Sequence, residues 1–398
     1  MRSSTLLSFV TLAAVASAEI HGKYRVGHAG HRRRHGLDAE LELKLGDELK
    51  AEAEVEVGDK LKTEAEVKAG KNKAEVELEA EHSGNLTRRA SEGWTLGNNW
   101  TGEDLFDAFN FDNKAADNQG AAYYSDRKSG LVWTDEDGNA VVGIDSTEAV
   151  DGLRKSIRMT SKDTFNVGSL VILDVQELPA VCGVWPAIWM NGDGVWPASG
   201  EIDILEGVNM YTQNVMSVHT NEGCYLDKSL LSALRGVTLK VKDQLSCDAI
   251  ANPETCGFNV DDNSSYGPPF NSQGGGTLAV SLETSGVHFY YWKQGQVPQD
   301  IYNNTPTPSN WGDALISVIS PSCKIEDHFK DMRIVVNINL AGTFTSGVWS
   351  YPGNGQEKAC SEITGFNNPW DYVTQKGSAF KDAKFTIRSI KTFYQDGY

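Results

Sequence analysis

Residues from about Trp94 to Tyr398 predict an all-β fold, a large sandwich of short strands, on three observations. Apolar β-formers come in short runs, the gaps between runs are filled with Gly, Asn, Asp and Pro, and no long stretch carries helical periodicity. In chain order, the runs are Ala140 to Ile144, Ser156 to Met159, Leu170 to Val175, Leu278 to Leu282, Val287 to Trp292 and Arg333 to Ile338. Short strands at this spacing mean a sandwich or barrel. Roughly 300 residues without a linker then read as one sandwich, whose concave face forms a cleft able to hold a linear polymer.

The 39 glycines favour a turn-rich fold, and a chain that is 40% hydrophobic and 9% aromatic can build a large core. A net charge of -18 argues against nucleic acid, whose phosphates attract clustered Lys and Arg. A neutral polymer is compatible with it. Met1-Arg2, the apolar run Leu6 to Val15 and the small-residue site Ala16-Ser17-Ala18 read as a cleaved secretory signal over residues 1–18. A membrane span needs roughly 20 apolar residues, so the chain is expected to be exported, soluble and monomeric.

Export fits the six cysteines, Cys182, Cys224, Cys247, Cys256, Cys323 and Cys360, an even number that an oxidising compartment would pair. Six cysteines allow fifteen pairings, and only Cys247 and Cys256 are close enough to suggest a shared loop. No Cys-x-x-Cys or Cys/His cluster supports zinc, and no metal or cofactor is expected. Sequons at Asn85, Asn99, Asn263 and Asn303 fit a glycosylated surface.

Residues 19–89 differ in composition from the rest of the chain. They carry no Cys, Trp or Pro, and Ala39 to Lys50 is loosely repeated in Ala51 to Lys62 with strict alternation of charged and apolar residues. Period two is a strand pattern with Gly-Asp at 46 and 58 as hairpin turns, yet Ala, Glu and Lys have weak strand propensity. The expectation is a marginal β-meander or disorder. This acidic extension reads as a propeptide ending at Arg88-Arg89, with an uncleaved spacer or a binding module as alternatives, and it precedes the strand-rich domain over 90–398.

The chemistry concentrates in Gly200-Glu-Ile-Asp-Ile-Leu-Glu-Gly207. Side chains on a strand alternate faces, so Glu201 and Asp203 point one way and an undistorted continuation would turn Glu206 away. A β-bulge between Asp203 and Glu206 would return Glu206 to the same face. Three close carboxylates cannot all ionise cheaply, so at least one pKa should rise, giving the unequal pair that glycoside hydrolysis uses. A solvated strand edge is the alternative. Against it, Ile202, Ile204 and Leu205 mark a core strand bounded by Gly200 and Gly207.

Just upstream, Trp185, Trp189 and Trp196 fall within a dozen residues. Aromatic faces stack on sugar rings, although large aromatics also serve simply as core. Trp189 reads as partly core, while Trp185, Trp196 and Trp311 read as sugar platforms. His219 is placed to hydrogen-bond sugar or to tune the acids, or is a satisfied structural histidine.

These stretches resemble glycoside hydrolase family 16, in particular the fungal endo-1,3(4)-β-glucanases, whose Glu-x-Asp-x-x-Glu signature is matched by Glu201, Asp203 and Glu206. The likeness extends through Phe106 to Asn110, Lys162 to Asn166, Cys182 to Trp189, His219-Thr220, Asn310 to Gly312 and Phe329 to Leu340, and leaves out the acidic extension. It implies a β-jelly-roll, Glu201 as nucleophile, Glu206 as acid/base, Asp203 as electrostatic helper, and a β-1,3- or mixed-linkage β-glucan cut internally with retention. Ala341 stands where many fungal relatives are expected to carry a cysteine, so Cys360 would pair with Cys323 or stay free. A cell-wall transglycosylase and a non-catalytic β-glucan-binding protein are the alternatives on the same fold.

Overall fold

The computed structural model describes five strands within residues 1–92 by their backbone alone and, from Gly93 on, all residues but 228–233, 235 and 320–321. The expected signal segment, Arg88-Arg89 and the Asn85 sequon lie outside the described residues. Two compact units result, Met1–Arg89 and Ala90–Tyr398. In the first, Ile20–Val26 pairs antiparallel with Leu37–Leu43, and Lys50–Glu56, Lys62–Gly70 and Lys73–Glu81 form a three-stranded antiparallel meander. The period-two pattern of the repeat is thus realised as strands.

The second unit is a jelly-roll sandwich of two eight-stranded antiparallel sheets. The first sheet runs, edge to edge, Val237–Leu239, Cys256–Val260, Val215–His219, Glu201–Glu206, Val184–Gly192, Met332–Leu340, Arg158–Ser161 and Phe109–Phe111. In the second, the order is Val132–Thr134, Ala140–Gly143, Lys384–Gln395, Ser169–Glu177, Gly276–Glu283, Gly286–Lys293 and Ile316–Ile319, with Trp94–Trp100 also pairing with Lys384–Gln395. The first strand of the unit is therefore fixed to the last. Helices are short: the longest among the described residues, Pro369–Gln375, has seven residues. No helix among the described residues is long and apolar enough to cross a membrane.

Alternation along the strands supplies the core. Ile188, Met190, Ile202, Ile204, Met216, Val218, Ile334, Val336 and Ile338 of the first sheet meet Val171, Leu173, Val175, Leu278, Val280, Phe289, Phe385 and Ile387 of the second in one buried cluster. Of the intervening residues of the first sheet, Trp185, Ala187, Trp189, Asn191, Glu201, Asp203 and Asn337 line a cleft. Burial of this apolar surface, at about 25 cal/mol per Å², is the main term holding the two sheets together.

All six cysteines pair, as Cys182–Cys360, Cys224–Cys323 and Cys247–Cys256. The last closes the expected short loop. The expectation for Cys360 is corrected: it bonds Cys182, not Cys323, and is not free. The reason lies in the fold. Cys182 precedes the strand Val184–Gly192, and the helix Cys360–Thr364 packs beside it around the buried Trp349, bringing together sulfurs 178 positions apart.

Candidate active site

On Val184–Gly192 the alternation sends Ile188 and Met190 into the core, while Trp185, Ala187, Trp189 and Asn191 line a cavity of about 550 Å³ on the outer face. The neighbouring strand carries Glu201, Asp203 and Glu206 into the same cavity. Its register against Val215–His219 jumps from Asp203 opposite Ser217 to Glu206 opposite Val215. Two residues, Ile204 and Leu205, stand against one, Met216. This is the β-bulge that brings Glu206 back to the face of the other two acids, while Ile204 and Leu205 both stay in the core. Two glycines frame the strand for different reasons. Gly200 holds φ +86°, where a side chain is strained, and a Cβ on Gly207 would lie 2.7 Å from the Tyr266 ring.

Each outer acid is held by an indole. Trp196 donates its Nε1–H to Glu201 Oε2 at 2.6 Å, and Trp185 donates to Glu206 Oε1 at 2.9 Å. Between them, Asp203 is 2% exposed and bonds His219 Nε2 through Oδ2 at 3.0 Å. His219 Nδ1 is buried with no protein partner among the described residues. A bare lone pair there costs less than a buried N–H without an acceptor, which assigns the proton to Nε2 and makes His219 the donor.

Burial, and after it the Asp203 carboxylate, pushes the Glu201 carboxyl up from 4.5 to about 8. Burial, and after it Glu206, raises Asp203 well above its usual range, against an opposing pull from Lys240. The cluster therefore retains protons that free carboxyls would have lost near pH 4. Glu201, Asp203 and His219 also present one donor atom each within 4.8 Å of one another, the set that could meet a cation. Their hydrogen bonds to one another and to Trp196 already occupy much of that donor capacity.

Of the other residues singled out from the sequence, Trp196 is 51% exposed at the cavity wall, free to offer a ring face. Trp189 is half-buried: its Nε1–H donates to Asn337 Oδ1 at 2.6 Å, and the Arg158 guanidinium lies 5.1 Å over its ring. Trp311 is not in the cleft. It lies on the connection between Gly286–Lys293 and Ile316–Ile319, both in the second sheet, packs edge-on against Tyr290 and Trp292 at 5.1 Å, and donates to Asp300 at 3.0 Å. The expected sugar platform is thus a packing residue on the far side of the sandwich. Periodicity did not disclose Tyr124, Arg158 and Asn337, which line the cavity from other strands or strand ends, nor the buried Asn214 behind the bulge. An outward-facing Arg or Asn on an otherwise apolar strand was the available signal for Arg158 and Asn337.

The sequence profile of the XgeA-like catalytic GH16 domain matches residues 109–393. The chain belongs to glycoside hydrolase family 16. A probable glycosidase of Schizosaccharomyces pombe is 30% identical over 304 residues, covering 75% of this chain and 69% of its own length. A probable endo-1,3(4)-β-glucanase of Aspergillus fumigatus is 31% identical over 320 residues, 78% of this chain and 47% of its own. The chain thus spans about half the length of such curated endoglucanases. Among solved structures, laminarinase 16A of Phanerochaete chrysosporium, with β-glucans in its donor and acceptor sites, superposes with TM-score 0.67 at 27% identity, over 76% of this chain and 99% of its own. An elongating β-1,3-glucosyltransferase of family 16 gives TM-score 0.67 at 30% identity, over 75% and 99%. The resemblance read from the motifs and the jelly-roll are both borne out, and the family 16 match leaves residues 1–108 outside it.

Proposed function

We propose that this family 16 domain is a secreted endo-β-glucanase that hydrolyses β-1,3- or mixed-linkage β-1,3-1,4-glucans with retention of configuration. The observation carrying the reading is that Glu201 and Glu206 enter one cavity from one strand, each oriented by its own indole N–H. In this reading the Glu201 carboxylate attacks the anomeric carbon while Glu206 gives its proton to the departing glycosidic oxygen. The C–O bond breaks and a glycosyl ester forms on Glu201. Glu206, now a carboxylate, takes a proton from water as the water attacks the same carbon, and Glu201 leaves.

Glu201 and Asp203 share the retained proton, and the form that reacts is the one in which it sits on Asp203 and Glu201 is the anion. In that form Asp203 still receives His219 Nε2–H on Oδ2. Trp196 donates to the Glu201 anion. Trp196 also serves as a sugar platform, Trp189 as a cleft wall, and Trp185 as the holder of Glu206. Secretion is supported by the three disulfides, which persist in oxidising compartments.

A product profile on laminarin, lichenan and a β-1,4-only glucan tests the substrate, with NMR of the first-formed anomer testing retention. Cleavage confined to the β-1,4 polymer, or an inverted product, would overturn the reading. The likeness to a family 16 glucosyltransferase favours a second reading, in which a sugar rather than water resolves the ester. Oligosaccharides longer than the laminari-oligosaccharide supplied would decide for it.

A further inference from the structure

The bulge that aims Glu206 leaves a backbone deficit. Where Ile204 and Leu205 face Met216 alone, the ladder cannot pair every group, and the Glu206 N–H and Ile204 C=O are met by a side chain instead. One side chain supplies both missing partners: Asn214 Oδ1 accepts from Glu206 N–H at 2.9 Å, and Asn214 Nδ2 donates to Ile204 O at 2.9 Å. Asn214 is 1% exposed. Its own main chain is pinned as well, with its N–H donating to Ser265 Oγ at 2.9 Å and its carbonyl accepting from Val260 N–H at 2.9 Å. Ser265 Oγ in turn donates to Asp262 O at 2.7 Å.

We propose that Asn214 is the positioning residue for Glu206, fixing the peptide from which the acid/base side chain springs while Trp185 fixes its carboxyl end. This rests on the reading of Glu206 as acid/base. The chemistry of the clamp is restrictive. It needs a donor and an acceptor on one short planar group, which a carboxamide has. Asp at 214 would still accept from Glu206 N–H but would set a carboxylate oxygen against the Ile204 carbonyl, and Ala would leave both groups unpaired in a buried place.

The test uses the full chain and four forms, wild type, Glu206→Gln, Asn214→Ala and Asn214→Asp. Each is assayed on laminarin and on 2,4-dinitrophenyl β-laminaribioside, whose leaving group needs no proton, with and without azide, alongside thermal melting. Asn214→Ala is expected to lower kcat on laminarin by about 100-fold with KM changed less than about threefold. Initial dinitrophenol release should fall less than about tenfold, and azide should raise turnover of the aryl substrate by supplying a nucleophile that needs no base. Asn214→Asp should give the same split with smaller losses, and carries the test if Asn214→Ala does not fold. Equal losses on both substrates, wild-type laminarin turnover, or failure of both variants to fold would make Asn214 merely structural and overturn the proposal. If instead Glu206→Gln hydrolyses laminarin normally, the acid/base reading itself falls, and that result is separate from the behaviour of Asn214.

Discussion

At the scale of single residues, the same burial that equips Glu201 for chemistry strains the fold. A carboxyl raised from 4.5 to about 8 prefers its neutral form in the folded state. Its stabilising contribution is therefore complete below about pH 4.5 and lost as pH rises through 8. Glu201→Gln keeps an acceptor for Trp196 but removes the charge. The variant should melt with the wild type at pH 4 and several °C above it at pH 8.5, a difference of roughly 5 kcal/mol that calorimetry at the two pH values resolves. A melting gap independent of pH would contradict the assignment. Activity separates the two acids: Glu201→Gln should lose all turnover, at least about 10³-fold. Glu206→Gln should lose laminarin hydrolysis yet still release an activated aryl group, which steady-state and burst kinetics distinguish.

At the scale of the element, the strand Glu201–Glu206 shows how far pattern reasoning reaches. Period two placed Glu201 with Asp203, and the need for Glu206 on that face implied the bulge now seen in the register. The clamp behind it was not legible, because alternation reports where side chains point and is silent on which backbone groups the bulge leaves unpaired. Gly207 shows a similar gap. From sequence it marked only a strand end, whereas in the fold it lets the backbone pass the buried Tyr266 ring, whose hydroxyl donates to Pro186 O at 3.3 Å. Gly207→Ala should cost about 1–3 kcal/mol in urea unfolding and lower laminarin kcat, since the ring or the peptide next to Glu206 must shift. Wild-type values for both would show that the strand end can yield. Trp311 failed for a different reason. An aromatic residue announces packing or stacking, but only the assignment of its flanking strands to the second sheet says which side of the sandwich it occupies.

At the scale of the whole molecule, the sandwich was legible and the cross-links were not. Strand runs such as Leu170 to Val175 and Arg333 to Ile338 sit inside the observed strands because half-buried strands must alternate or be apolar. Disulfide partners obey no such local rule, so only the pair nine positions apart could be anticipated. The two kinds of bridge should also differ energetically. Closing a loop removes freedom from the unfolded chain in proportion to the logarithm of its length, about 3 kcal/mol for the Cys247–Cys256 loop and about 5 kcal/mol for Cys182–Cys360. All four cysteines are almost fully buried, so replacing either pair by Ala leaves comparable small cavities. Loop length is then the main difference between the double variants. Cys182→Ala with Cys360→Ala should lower Tm by about 10 °C, against about 5 °C for Cys247→Ala with Cys256→Ala. The long bridge also secures the approach to the strand bearing Trp185, where Gly183 N–H donates to Asn209 Oδ1 at 2.9 Å. Its loss should therefore lower laminarin kcat even below the melting range, whereas loss of the short bridge should not. Equal shifts in Tm would mean that native-state packing, rather than freedom of the unfolded chain, sets what each bridge contributes.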